Sequence, residues 1–327
     1  MNTRKRDHTS QANADSDHSK NPGHQIEAEF QHTEHLLQEA MARLKQLPRP
    51  ENRKIIGIPT GFSELDLMTS GLQPGELMII AGRPSMGKTS LARCMAMNVL
   101  LDTGLPVVMF SIEMSSVQIM LHMLGTLAPV DQHIMRTGRL DPEDWAKLSA
   151  AAERLRGAPL YIDDGARTVF DISRIASHLA MNRTDQRLGL LVIDYLQLMV
   201  GVGDNKRAKQ LSNITRSLKA LAKTLNVPII VTCQLHRRLE RRMNLRPVMA
   251  DLREVGALER DADLVLFIYR DEVYVNDSAD KGVAEILIGK NRHGPVGTTK
   301  LAFKGEFMRF ESLNHLQQYR CIRDSPA

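Results

Sequence analysis

Apolar and polar positions divide the chain into four parts. These are a polar start, one isolated helical stripe, a long alternation of apolar runs with helical repeats, and a closing set of short runs. Residues 1–24 hold almost nothing apolar, which predicts a disordered tail. Ile26, Phe30, Leu37, Met41, Leu44 and Leu47 then recur at helical spacing with charge between them. They predict one amphipathic helix of about six turns. Pro48 and Pro50 end it and begin a linker, so residues 25–55 read as a linker helix and its tether. Such a helix must bury its stripe, either on its own domain or on a neighbouring subunit.

From Gly57 onward, strand-like runs alternate with helical ones. The predicted strands are Leu77–Ala81, Val107–Ser111, Leu160–Asp163, Leu190–Asp194, Pro228–Thr232 and Leu264–Tyr269. The predicted helices are Ser90–Leu101, Val117–Leu127, Pro142–Leu155, Asp171–Asn182 and Lys209–Thr224. Fully apolar strands separated by helices imply an α/β fold with a mostly parallel sheet covered on both faces. After Tyr269 the runs shorten to Ala284–Gly289, Thr299–Phe303 and Phe307–Glu311, joined by Gly294-Pro295 and Lys304-Gly305-Glu306. These predict antiparallel strands at the end of the sheet. Residues 56–312 therefore read as one domain, and 313–327 as a C-terminal tail.

Composition adds limits. A hydrophobic content of 43% supports a substantial core. No apolar run approaches the roughly twenty residues of a membrane span, and the polar start lacks a signal peptide's apolar segment. Cys94, Cys233 and Cys321 are far apart and suit free thiols in a reducing cytoplasm, and the 11 histidines form no metal-ligand cluster. The net charge of +5 is compatible with nucleic-acid binding. Aromatics at 4% argue against base stacking as its main source.

The most specific chemistry lies at residues 82–89, Gly-Arg-Pro-Ser-Met-Gly-Lys-Thr, between a predicted strand and a predicted helix. This is a phosphate-binding loop in its working context. Gly82 and Gly87 let the backbone curl so that its N–H groups face an anion, and the helix start adds partial positive charge. The loop residues Gly82, Arg83, Pro84, Ser85, Met86, Gly87, Lys88, Thr89 and Ser90 are the expected ATP contacts. Lys88 reaches the β- and γ-phosphates, and the Thr89 hydroxyl suits Mg²⁺. Asp194 ends an apolar strand, where a Mg²⁺-side acid sits in a nucleotide fold.

Other residues have both a chemical and a bland reading. Glu113, after Phe110-Ser111-Ile112, is either a base that polarises attacking water or a solvated strand-end carboxylate. Gln234 is either a γ-phosphate sensor or an ordinary loop residue. Arg237, Arg238, Arg241, Arg242 and Arg246 repel one another, which favours disorder unless an anion is present. They are either phosphate-backbone contacts or a solvated loop. Lys290 and Arg292 are either an arginine finger for another subunit's nucleotide or solvated hairpin charges.

Taken in order, these segments resemble the C-terminal motor domain of bacterial replicative DNA helicases of the DnaB type, within the RecA-like P-loop NTPase fold. The resemblance runs from Ile56 to Phe310, roughly four-fifths of the chain. It rests on Gly57–Gly71, Arg83–Thr89, Phe110–Met114, Ile193–Met199, Gln234–Arg237, Asp251–Asp263, Phe267–Tyr274 and Gly289–Gly297 together. It implies ATP and Mg²⁺ as cofactors, single-stranded DNA as a partner and a homo-oligomer, a hexamer in the family. It gives Glu113 the water-activating role, Gln234 the sensor role, and Lys290 and Arg292 a role in trans. It places Arg253, Glu254 and Gly256 on the loop that holds DNA, with Arg241 and Arg242 in the neighbouring basic run. The family carries a larger helical domain before the motor, where this chain has about fifty residues. A helicase loader and primase are thus partner classes of the family for which this short start offers little. His236 stands where the family usually has Asn, and Val255 where a small polar residue is usual. The implied activity is a 5′-to-3′ ring helicase. The alternatives are a RecA-like DNA-dependent ATPase that does not unwind, or a regulatory subunit of a helicase ring.

Overall fold

The computed structural model describes residues 33–46, 55–182, 187–201, 207–255 and 258–313. Two compact units divide the chain, residues 1–49 and 50–327. The first contributes helix α1 (Thr33–Gln46), on which Leu37 and Met41 are exposed. It covers the second half of the predicted amphipathic helix; residues 26–32 and the polar tail 1–24 lie outside the described residues.

In the second unit the strands are β1 (Leu77–Gly82), β2 (Val107–Ser111), β3 (Leu160–Asp163), β4 (Leu190–Asp194), β5 (Ile229–Gln234), β6 (Leu264–Tyr269), β7 (Val283–Asn291), β8 (Gly297–Lys304) and β9 (Arg309–Ser312). The helices are α2 (Ser63–Thr69), α3 (Lys88–Asn98), α4 (Ser116–Leu127), α5 (Gln132–Thr137), α6 (Pro142–Leu155), α7 (Val169–Met181), α8 (Arg207–Leu225) and α9 (Leu258–Asp261). One nine-stranded sheet runs β3-β2-β4-β5-β1-β6-β7-β8-β9. Pairing is parallel from β3 to β6 and antiparallel from β6 to β9.

Every residue of β1, β2, β4 and β6 is buried, as strands covered on both faces require. The strand period of two sends alternate residues to opposite layers. Leu77, Ile79 and Ala81 join a core with Leu211, Ile214 and Leu218 of α8 and Ile172 and Ala176 of α7. Met78 and Ile80 join a second core with Leu91 and Met95 of α3 and Ile119 and Met123 of α4. Burying a side chain such as Leu or Ile contributes about 1.5–3 kcal/mol, so these two layers dominate the domain's stability.

Several boundaries differ from expectation. The helix after the phosphate loop begins at Lys88, and beyond Asn98 it loosens into a π-turn at Val99–Thr103. There the Thr103 hydroxyl donates to the Val99 carbonyl at 2.6 Å. Strand β5 extends through Gln234, which becomes its last residue. The last strand begins at Arg309, because Gly305–Phe307 forms a 3-10 turn and Met308 takes a left-handed φ of 49°. Helices α2 and α5 were not expected; at 7 and 6 residues they are too short to show a period.

Candidate nucleotide site

Parallel pairing carries the ends of β1, β2, β4 and β5 to one edge. Gly82 pairs with Gln234, and Ser111 pairs with Asp194. The phosphate loop, Asp194, Glu113 and Gln234 therefore gather at the carboxyl ends of neighbouring strands, where open α/β sheets bind ligands. Gly87 has φ +97°, and a Cβ there would lie 2.9 Å from the Phe310 ring, so only glycine fits. Helix α3 starts at Lys88 with no side-chain cap. Its first N–H groups remain for an anion.

Lys88 Nζ donates to the Arg83 carbonyl at 2.8 Å. Burial pushes its pKa down to about 8, with the Asp194 and Glu113 charges partly restoring it. A cation this desolvated gains from an anionic ligand more than a solvated one does. The Thr89 hydroxyl lies 2.9 and 3.1 Å from the Asp194 carboxylate oxygens, and the Thr232 hydroxyl donates to the same group. Asp194 is buried, so this triad is preorganised. No group of three or more His, Cys, Asp or Glu among the described residues is arranged to hold a metal ion by itself. One carboxylate beside one hydroxyl is nevertheless a donor set that fits Mg²⁺, which takes few protein oxygens and completes its shell with phosphates and water.

Glu113 is exposed in a turn just beyond β2. The Ser111 hydroxyl fixes that turn, donating to the Met114 carbonyl at 2.7 Å and accepting from its N–H at 3.1 Å. Ile112 N–H donates to the Asp194 carbonyl at 2.8 Å, which holds the turn against β4. Gln234 is gripped through its backbone: its N–H donates to Gln197 Oε1 at 3.2 Å, and Gln197 Nε2 donates to its carbonyl at 2.7 Å. Its exposed side chain stays at the edge of the site.

Lys290 and Arg292 lie at the opposite end of the sheet. Lys290 pairs with Val265 at the start of β6. Its Nζ donates to the carbonyls of Glu259 and Ala262 at 2.8 and 2.6 Å, closing off α9. Arg292 Nη1 donates to Asp263 Oδ1 at 2.7 Å, and Asp263 Oδ2 accepts from Lys219 and from Leu77 N–H. Leu77 begins β1 and Gly82 ends it, so roughly 16 Å of strand separates this cluster from the chain's own loop.

The basic run is folded, contrary to the expectation from charge repulsion. Arg237–Arg241 is a 3-10 helix pinned by buried Leu239. Carboxylates supply the missing anions. Arg242 Nη2 donates to Asp251 at 2.9 Å, and Arg246 pairs with Glu285 at 2.6 Å while stacking 4.7 Å over the Tyr269 ring. Arg241 is exposed and Arg242 is half-buried and committed internally. Arg253 and Glu254 lie on the 3-10 helix Met249–Val255, and Gly256 lies outside the described residues.

Three contributors to the site, and one buried cation beside it, were missed by sequence reasoning. Thr232 was visible as the one hydroxyl in the run Ile229-Ile230-Val231-Thr232. Gln197 lay inside the segment Ile193–Met199 with no role attached to it. Arg270 donates to the Ser85 carbonyl at 3.0 Å and stacks 4.0 Å over the Phe303 ring, holding the loop from the β6 side. Arg93 follows Thr89 by one helical turn and is 2% exposed; its Nε and Nη2 have no hydrogen-bond partner among the described residues. Its signal was a charge at core spacing beside Leu91 and Met95.

With this geometry in place, the similarities become informative. The family model of the DnaB-like helicase C-terminal domain matches residues 57–312. The replicative DNA helicase DnaB of Pasteurella multocida is 47% identical over 294 residues, covering 88% of this chain and 62% of that protein. That of Geobacillus stearothermophilus is 47% identical over 262 residues, covering 80% and 57%. The chain thus spans about 60% of the length of the curated relatives it matches. Among solved structures, an isolated ATPase domain superposes with a TM-score of 0.81 at 35% identity, covering 86% of this chain and 98% of that one. A DnaB-like replicative helicase, described with its interactions with primase, gives 0.79 at 36% identity, covering 84% and 66%.

Proposed function

This chain belongs to the DnaB-like helicase C-terminal domain family, and on that premise we propose that it is an ATP-driven ring motor. It hydrolyses ATP, moves 5′ to 3′ on single-stranded DNA and separates duplex ahead of it, as a cytoplasmic homo-oligomer, a hexamer by family likeness. The observation that carries this reading is the gathering of Lys88, Thr89, Asp194 and Glu113 at one sheet edge while Lys290 and Arg292 lie at the other. A site split across a sheet of this width is completed by a neighbour.

Phosphoryl transfer needs positioning and charge stabilisation more than covalent chemistry. The loop N–H groups and Lys88 bind the β- and γ-phosphates. Thr89 and Asp194 would hold Mg²⁺, which supplies charge neutralisation on the phosphate oxygens when bound. Glu113 orients water and takes its proton. Gln234 reads the γ-phosphate and lies at the root of the basic run. Lys290 and Arg292 leave Asp263 and the α9 carbonyls to meet the next subunit's nucleotide. Family likeness makes Arg253, Glu254 and Gly256, with Arg241, the candidate DNA contacts. A loader or primase is a partner class carried by likeness alone; the primase interaction is described for a relative.

Two measurements test this. Glu113→Gln should keep ATP affinity within about twofold while losing hydrolysis by about 10²-fold or more, because the amide keeps the shape but takes no proton. Normal turnover in that variant removes Glu113 from its role. Wild-type chain should displace a strand from a forked duplex only with ATP. ATP hydrolysis stimulated by DNA without displacement would support instead the non-unwinding ATPase.

A further inference from the structure

The phosphate loop and the basic run touch through one ion pair outside the chemistry described above. Arg83 Nε donates to Glu240 Oε1 at 2.8 Å, and Arg83 Nη1 donates to the Leu235 carbonyl at 2.9 Å. The Arg83 side chain is 14% exposed, and the buried Tyr274 hydroxyl lies beside the pair. Glu240 is the single carboxylate among Arg237, Arg238, Arg241 and Arg242. It sits on the 3-10 helix whose other anchor is Leu239 in the core. From the far end of this run, Arg242 reaches Asp251 on the 3-10 helix that carries Arg253 and Glu254.

Arg83 also faces the nucleotide site, through its backbone. Its carbonyl accepts from Lys88 Nζ at 2.8 Å. That ammonium has three N–H donors, and an incoming phosphate competes for them with this carbonyl. A bound phosphate would therefore change how Lys88 holds the Arg83 peptide, whose side chain is clamped to Glu240. We infer that the Arg83–Glu240 pair couples nucleotide occupancy to the presentation of the arginine run, with Glu240 as the positioning residue. The inference rests on the reading of the chain as a DNA-dependent motor.

Its physical content is a coupling free energy between two ligands. Nucleotide and single-stranded DNA then change each other's affinity by one common factor. Glu240 has a second, trivial effect: as a negative charge in a basic run it weakens any phosphate-backbone contact. The two effects separate cleanly. Removing the charge strengthens DNA binding equally with and without nucleotide. Removing the coupling changes the ratio of the two affinities.

The test uses the full chain and labelled oligothymidylate, with Kd measured with and without a non-hydrolysable ATP analogue plus Mg²⁺. In wild-type protein the two Kd values should differ by at least about fivefold, within the usual range of allosteric coupling. In Glu240→Gln and Glu240→Ala that ratio should fall to within about twofold of unity, while affinity for the ATP analogue without DNA stays unchanged. Glu240→Asp should restore part of it. A ratio preserved in both Gln and Ala variants overturns the inference and leaves the motor reading standing, as does a wild-type ratio of unity with normal DNA binding. Wild-type protein that binds no single-stranded DNA overturns the motor reading and this inference together.

Discussion

At the scale of single residues, two cations near the site, half-buried Lys88 and buried Arg93, have different fates. Lys88 is desolvated to a pKa of about 8 and has a ligand to wait for. In the free chain it holds fewer protons than an unfolded lysine between pH 8 and its ordinary 10.5, so its destabilising effect is full below pH 8 and relieved as pH rises through that window. A bound triphosphate reverses the bias and lifts the pKa. Nucleotide binding at pH 8 should therefore take up about half a proton, and affinity should fall as pH rises further. Calorimetry in buffers of different ionisation enthalpy reads this directly; no uptake, or release, would contradict the burial argument. Arg93 has no such ligand in view. A buried guanidinium with two nitrogens unpartnered among the described residues costs more than an apolar side chain of similar volume. Arg93→Met should leave ATP hydrolysis intact and stabilise the fold by about 1–4 kcal/mol, seen as a higher thermal midpoint. A lower midpoint would show that Arg93 is paired within the fold.

Among the elements, strands were the most legible. The runs Val107–Ser111, Leu160–Asp163, Leu190–Asp194 and Leu264–Tyr269 form strands with those bounds; short apolar runs suit the buried strands β2, β4 and β6, and β3 lies half-buried at the sheet's edge. Their order was hidden: it depends on crossovers between distant segments, which no local pattern records. Within the site, Lys88 and Thr89 were legible from the loop motif, and Asp194 from its place after an apolar strand. Thr232, Gln197 and Arg270 were not, since each matters through one contact made across the sheet edge. The basic run was misread in one respect. Charge density along the chain predicted repulsion, whereas Asp251 and Glu285 pair with Arg242 and Arg246 in space. That difference separates two neighbours. Arg241→Ala should lower the salt slope of DNA binding by about one unit, and Arg242→Ala should leave it nearly unchanged while destabilising the loop. Equal effects on the slope would mean that Arg242 leaves Asp251 for DNA.

For the whole molecule, the decisive feature is the distance between the two halves of the proposed chemistry. The phosphate loop stands at one end of β1, and Arg292, held by Asp263, stands at the other. No side chain spans that length within one subunit. Either Arg292 serves a neighbour's nucleotide, or it is a structural partner of Asp263. Each alternative has its own signature in mixtures of Arg292→Ala with Lys88→Ala, two variants expected to be inactive alone. Rings co-assembled from both monomers contain some interfaces with an intact loop on one side and an intact Arg292 on the other. A trans-acting arginine contributes about 10³–10⁵-fold in rate, so a minority of such interfaces stands clear of background. The measurement is ATP hydrolysis by these mixtures, with co-assembly verified by mass in solution. Recovery of hydrolysis is the expected result; inactivity in verified mixed rings would contradict a motor whose sites are completed across subunits.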